Sequence, residues 1–138
     1  MTTQQFLLLV PLFGALAVLF AFVRALQIKN KDAGSAAMTT IANYIEEGAM
    51  AFLTREYLVM GIAVAAIAAI LGLVYFGSQT TSPLVTVSFV TGAACSALAG
   101  YVGMKVATKA NVRTAQAAKT SLNKALRIAF NGGTVMGM

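Results

Sequence analysis

Three uninterrupted apolar runs, Phe6–Val23, Leu58–Phe76 and Leu84–Met104, dominate what this chain can become. They are 18, 19 and 21 residues long and contain no Asp, Glu, Lys, Arg or His. A helix needs roughly 20 apolar residues to cross a bilayer. In hydrocarbon each backbone polar group must be satisfied within its own segment, so such runs cross as helices. The sequence therefore predicts an all-α membrane protein with three transmembrane helices. A mean hydropathy of +0.80, with 59% hydrophobic and 10% charged residues, excludes a soluble domain.

Charge placement sets the expected topology. All ten Lys and Arg and all four Asp and Glu fall in two blocks, Arg24–Glu56 and Lys105–Arg127. Positive charge collects on the cytoplasmic side. Residues 24–57 and 105–130 are thus expected in the cytoplasm, with the N-terminus and the Gly77–Pro83 loop outside. A cleaved signal peptide fits the first run poorly, because no basic residue precedes it and it exceeds a usual signal core. The net charge of +6 is in this reading a topology signal. Three spans and few aromatics beside the basic residues argue against nucleic-acid binding. The lone Cys95, without any histidine in the chain, excludes an internal disulfide or a Cys/His metal site; it reads as a small thiol buried in a helix contact.

Along the chain, Pro11 can kink span one without ending it. A turn at Gly34 follows, with Ser35 or Thr39 as candidate cap of the next helix. Ile41, Ile45, Gly48 and Phe52 fall near one face, away from Glu46, Glu47 and Arg55. No breaker separates this stretch from Leu58–Phe76, which predicts one helix of some forty residues, roughly 60 Å long. Ser82 and Pro83 suit the cap and first position of span three. Gly92, Ser96 and Gly100 recur every fourth residue, with Ala99 and Gly103 beside them and Gly61, Ala65, Ala69 and Gly72 on span two. Small residues at that interval let membrane helices approach closely. A cationic helix follows span three, then a turn at Thr120–Asn123 capped by Thr120 or Ser121. Asn131–Met138 reads as the start of a fourth span, so the chain is expected to stop in mid-element.

The strings GMKVATKANVR (Gly103–Arg113) and EEGAMAFLTREY (Glu46–Tyr57), with the GG-VMG pattern from Gly132 to Gly137, resemble the membrane-bound, ion-translocating inorganic pyrophosphatases. The matches cover most of residues 38–138; span one is similar only in kind. The resemblance implies a homodimeric bundle of sixteen membrane helices in two rings. The inner ring would carry Mg²⁺–pyrophosphate and the ion path through aspartate-rich segments of the D-V-G-A-D-L-V-G-K type. This chain matches none of those segments and corresponds to the first outer-ring helices and the start of the next. It is expected to be the N-terminal part of such a pump, multi-pass in the cell inner membrane. Mg²⁺ as cofactor, K⁺ as a further one in part of the family, and pyrophosphate and membrane lipids as partners are implied likewise. The residues that separate the K⁺-dependence and pumped-ion subclasses are implied to lie in the segments not matched.

The residues support no catalytic, substrate-binding or metal-ligating assignment. Glu46 and Glu47 point about 100° apart on a helix, Glu56 adjoins Arg55, and no phosphate loop or nucleophilic triad occurs. The candidate with any direct role is the ridge of Lys105, Lys109 and Arg113 at i, i+4 and i+8. It reads either as steering for an anionic substrate or as a positive-inside anchor that touches anionic lipid head groups and neighbouring helix ends. Gly132–Gly133 reads as helix packing in preference to a phosphate loop. The leading expectation is a pyrophosphate-energised H⁺ or Na⁺ pump whose segment here is inactive alone. The alternatives are a non-catalytic helix-packing module and a small channel or transporter subunit, the last disfavoured by the absence of charge inside a span.

Overall fold

Each apolar run lies within one helix of the computed structural model, which describes the backbone of residues 3–77 and 84–138 and the side chains of residues 9–74 and 84–138. The helices are α1 Thr3–Lys29, α2 Ala36–Gly77, α3 Leu84–Ala118 and α4 Leu122–Gly137. Among the described residues, three helical stretches are long and apolar enough to cross a membrane: Leu9–Lys29, Ala36–Val74 and Leu84–Ala118. The chain is an all-α membrane protein. α1 continues through Pro11, and α2 is the single long helix that the absence of breakers predicts. The Ser82–Pro83 cap and its loop lie outside the described residues.

Local chemistry explains the helix ends. Gly34 has φ +87°, a backbone conformation that costs other residues roughly 1–2 kcal/mol. The Ser35 hydroxyl then accepts the Met38 amide at 3.4 Å, so Ser35 caps α2. Thr39 does not cap; its hydroxyl donates back to the Ala36 carbonyl at 2.8 Å. Between α3 and α4 the turn covers Lys119–Ser121, where the Thr120 and Ser121 amides donate to the Ala117 carbonyl. It is tighter than the expected Thr120–Asn123 turn, because Leu122 and Asn123 are already helical. Ser121 holds the N-cap position in extended backbone, yet its side chain makes no capping bond. α4 then passes Asn131 without a boundary.

The chain forms two compact units, Met1–Glu46 with Gly103–Met138, and Glu47–Val102. The first is centred on Ile28, 2% exposed, packed with Ala110 and Ile128 and bordered by Val106 and Ala117. α1 lies along α4, and the end of α3 and α4 run back to back as a helical hairpin. A Cβ at Gly132 would lie 2.8 Å from the Ala110 Cβ, and one at Gly103 3.4 Å from the Met136 Cγ. Glycine is what permits this approach. Gly132 is thus a packing residue, and burial of its bare face offsets the cost of glycine in a helix.

In the second unit, Tyr57, Met60, Gly61 and Val64 of α2 and Val90, Ala93, Ala94 and Ala97 of α3 line one groove. The Tyr57 hydroxyl donates to the Ala97 carbonyl. A Cβ on Gly100 would come within 2.9 Å of that hydroxyl. Within this unit the small-residue stripe is engaged at one position. Gly100 touches its neighbour, whereas Gly61, Gly72 and Gly92 have open space where a side chain would go. The contacting row on α3 is Val90, Ala93 and Ala97, one position along from Gly92 and Ser96. Cys95 is exposed, against the expectation of a buried thiol; it lies two residues from both Ala93 and Ala97, about 200° around the helix from that row. Ile41, Ile45 and Phe52 also stand 60%, 49% and 60% exposed.

Candidate functional site

The carboxyl end of a helix leaves its last carbonyls without intrahelical partners and carries partial negative charge. At the end of α1 a side chain of α3 meets both needs. Arg113 Nε donates to the Lys31 carbonyl at 3.0 Å, and its Nη2 donates to the Lys29 carbonyl at 3.3 Å. Its Nη1 donates to the Lys109 carbonyl, 2.9 Å away on its own helix. The planar guanidinium spreads over three acceptors in a way a lysine cannot reproduce.

Asp32 secures the other side of the same turn. One carboxylate oxygen accepts the Gly34 amide at 2.9 Å, an Asx-type turn, and the other accepts Gln116 Nε2 at 3.2 Å. The Gly34 amide, then the Gln116 side chain, and then the charges of Arg113 and Lys119 hold the Asp32 carboxyl below its ordinary value of 3.8 against a small opposing effect of desolvation. Gly34 is fixed by space as well as by φ: a Cβ there would lie 2.7 Å from Met38 Sδ and 2.8 Å from Gln116 Oε1. That Gln116 oxygen is buried without a hydrogen-bond partner among the described residues.

Beside this clasp lies a cavity of about 380 Å³ lined by Lys31, Asp32, Arg113, Gln116, Lys124, Arg127 and Asn131, among others. Four cations face it against one carboxylate. Three sequence segments far apart supply them: the turn after α1, the end of α3 and the first turns of α4.

The ridge of Lys105, Lys109 and Arg113 does not act as one surface. Arg113 is committed to backbone carbonyls at the end of α1, a contact of the kind the anchor reading expects at a neighbouring helix end. The converging partners Lys31, Lys124 and Arg127 could not be read from spacing, since their meeting depends on how α1, α3 and α4 pack. Among the described residues no three His, Cys, Asp or Glu side chains converge. Asp32 faces cations rather than other acids, so the described residues do not fit a Mg²⁺ site.

The family profile for "Inorganic H+ pyrophosphatase" matches residues 15–138. A Clostridium tetani protein named as a K⁺-stimulated pyrophosphate-energized sodium pump is 45% identical over 98% of this chain and 19% of its own length. A K⁺-insensitive pyrophosphate-energized proton pump of Moorella thermoacetica is 44% identical over 94% of this chain and 18% of its own length. The K⁺-stimulated sodium pump of Thermotoga maritima is 41% identical over 94% and 17%. The chain spans about a fifth of the length of these curated relatives. No solved structure matches it.

Proposed function

Since the chain belongs to the inorganic H⁺ pyrophosphatase family, we propose that it is the N-terminal part of a pump that couples diphosphate hydrolysis to H⁺ or Na⁺ transport. The observation that carries this is the family match across residues 15–138, joined to three membrane-crossing helices. In the complete protein this segment is scaffold. Its first unit ties α1, α3 and α4 together around Ile28 at the charged ends of the spans. Substrate, Mg²⁺ and, where required, K⁺ are held by residues beyond the segment. Sodium and proton pumps are nearly equally similar to it, at 45% and 44% identity, which supports ion choice being made elsewhere too.

The N-terminus faces outward and both charged blocks face the cytoplasm, an orientation that the charge distribution supports, and the host membrane is the cell inner membrane. The complete pump is a homodimer, in keeping with the family resemblance. The test is reconstitution of the complete protein in sealed vesicles. Pyrophosphate should drive ion movement with release of phosphate, whereas residues 1–138 alone should insert and release none. Hydrolysis by the 138-residue chain, or a complete protein that neither hydrolyses nor pumps, would overturn the reading. Single cysteines at Gln79 and Gln116, with Cys95→Ala, should label from opposite faces of the vesicle. Labelling from one face would refute the orientation.

A further inference from the structure

We infer that the cavity between the α1 turn, the end of α3 and the start of α4 binds a phosphoryl anion, with the head group of an anionic phospholipid as the favoured source. The inference does not depend on the pump reading.

Among the described residues, no hydrogen bond or ion pair engages the side chains of Lys31, Lys124 or Arg127. Three cations turned into one concavity without a carboxylate partner repel one another. An anion seated among them removes that repulsion and gains charge-assisted hydrogen bonds. Asp32 does not supply that anion. Its oxygens are taken by the Gly34 amide and the Gln116 amide, and its charge lies beside Arg113 and Lys119. Asn131 also lines the cavity, and a side-chain amide can donate to phosphate oxygens. Its volume of about 380 Å³ is ample for a phosphodiester head group.

The lipid source is favoured by α4 itself. At about 100° per residue, the helix divides into three sectors. Ala125, Ile128, Gly132 and Val135 are buried. Lys124, Arg127 and Asn131 line the cavity beside them. Leu122, Leu126 and Phe130 form the third sector and stand 71%, 45% and 71% exposed. A cationic strip between a packed face and an exposed apolar ridge is the pattern of a helix lying in a head-group layer. An amphiphile with its phosphate in the cavity can lay its acyl chains along Leu126 and Phe130. Basic residues beside an anionic surface add electrostatic attraction.

The test uses the 138-residue chain in a neutral detergent and measures bound lipid by native mass spectrometry. Phosphatidylglycerol is compared with phosphatidylcholine, with and without added inorganic phosphate. Phosphatidylglycerol should be preferred at least tenfold. Lys124→Gln combined with Arg127→Gln should abolish the preference, and Arg55→Gln, a cation on the other unit, should preserve it. Lys124→Arg with Arg127→Lys, which keeps both charges, should retain most of it. Helical circular dichroism equal to that of the parent chain shows that each variant is folded. Phosphate binding that the double Gln variant loses, without lipid preference, would uphold the phosphoryl site and assign it to a soluble anion. Equal retention of both lipids by the parent, or a preference unchanged in the folded double Gln variant, would overturn the proposal.

Discussion

Arg113 donates to the carbonyl oxygen of Lys31, a residue 82 positions earlier, across 3.0 Å. The bond joins the last turn of the first membrane helix to the extension of the third. Arg113→Ala should therefore destabilise the chain by about 1–3 kcal/mol, the range for hydrogen bonds to a charged group. Arg113→Lys should recover only part, because an ammonium cannot span the Lys29, Lys31 and Lys109 carbonyls together. Denaturant titration in detergent measures both. Equal stability of all three proteins would mean the contact contributes nothing.

Gly34 and Gly92 make a matched pair. Gly34→Ala places a methyl group at φ +87° and against Met38 and Gln116, and should cost about 1–2 kcal/mol or more. Gly92→Ala meets open space in the middle of a helix and should be neutral or stabilising by up to about 1 kcal/mol. Thermal midpoints should move in opposite directions, and a shared direction would contradict the geometry.

The adjacent glycines of α4 should separate in the same way. Gly132→Ala drives a methyl group to 2.8 Å from the Ala110 Cβ. Overpacking of this kind costs roughly 1–3 kcal/mol, more than the gain in helix propensity. Gly133→Ala meets nothing within 4 Å and should raise the melting temperature. If Gly132→Ala also raises it, α3 and α4 do not approach as described.

The Asp32 carboxyl is held below its ordinary value of 3.8 chiefly by the Gly34 amide. A carboxyl depressed on folding contributes stability that is complete above the unfolded value and lost as pH falls through the folded one. Asp32→Asn should thus melt lower than the parent chain at pH 7, and the difference should shrink below about pH 4. A constant gap down to pH 3 would show that Asp32 acts only through shape.

Tyr57→Phe removes the donor to the Ala97 carbonyl and should cost about 0.5–1.5 kcal/mol. Gly100→Leu should cost more, since it displaces the phenol altogether. Ser96→Leu, one helical step from the contacting Ala97, should be milder in this chain. Equal losses at positions 96 and 100 would restore the original stripe as the contact.

Periodicity and length made the spans legible, because a bilayer imposes one conformation and one minimum length on any chain that crosses it. Gly34 and Ser35 were legible for a similar reason: backbone sign and capping are local. The choice between neighbouring rows of small residues on α3 was not. Ser96 and Ala97 differ by one helical step, and Tyr57, 40 positions away, selects between them. That a cation of the ridge would meet a helix end was legible, but which one was not, because Lys29 and Lys31 lie more than 80 positions before Arg113. Lys31 and the α4 pair Lys124 and Arg127 come from two distant segments, and only the packing around Ile28 brings them to one cavity.

Ile28 is the most covered side chain among the described residues, yet the residues that cover it are made late. Ala110 and Ile128 follow it by 82 and 100 positions. At a synthesis rate of about 5–20 residues per second, Ile28 leaves the ribosome roughly 5–20 seconds before Ile128. Helix α1 must therefore enter the membrane before its end has any native neighbour. The first unit can close only after residues 47–102 of the second have been made, so its packing is the last to form as the chain emerges.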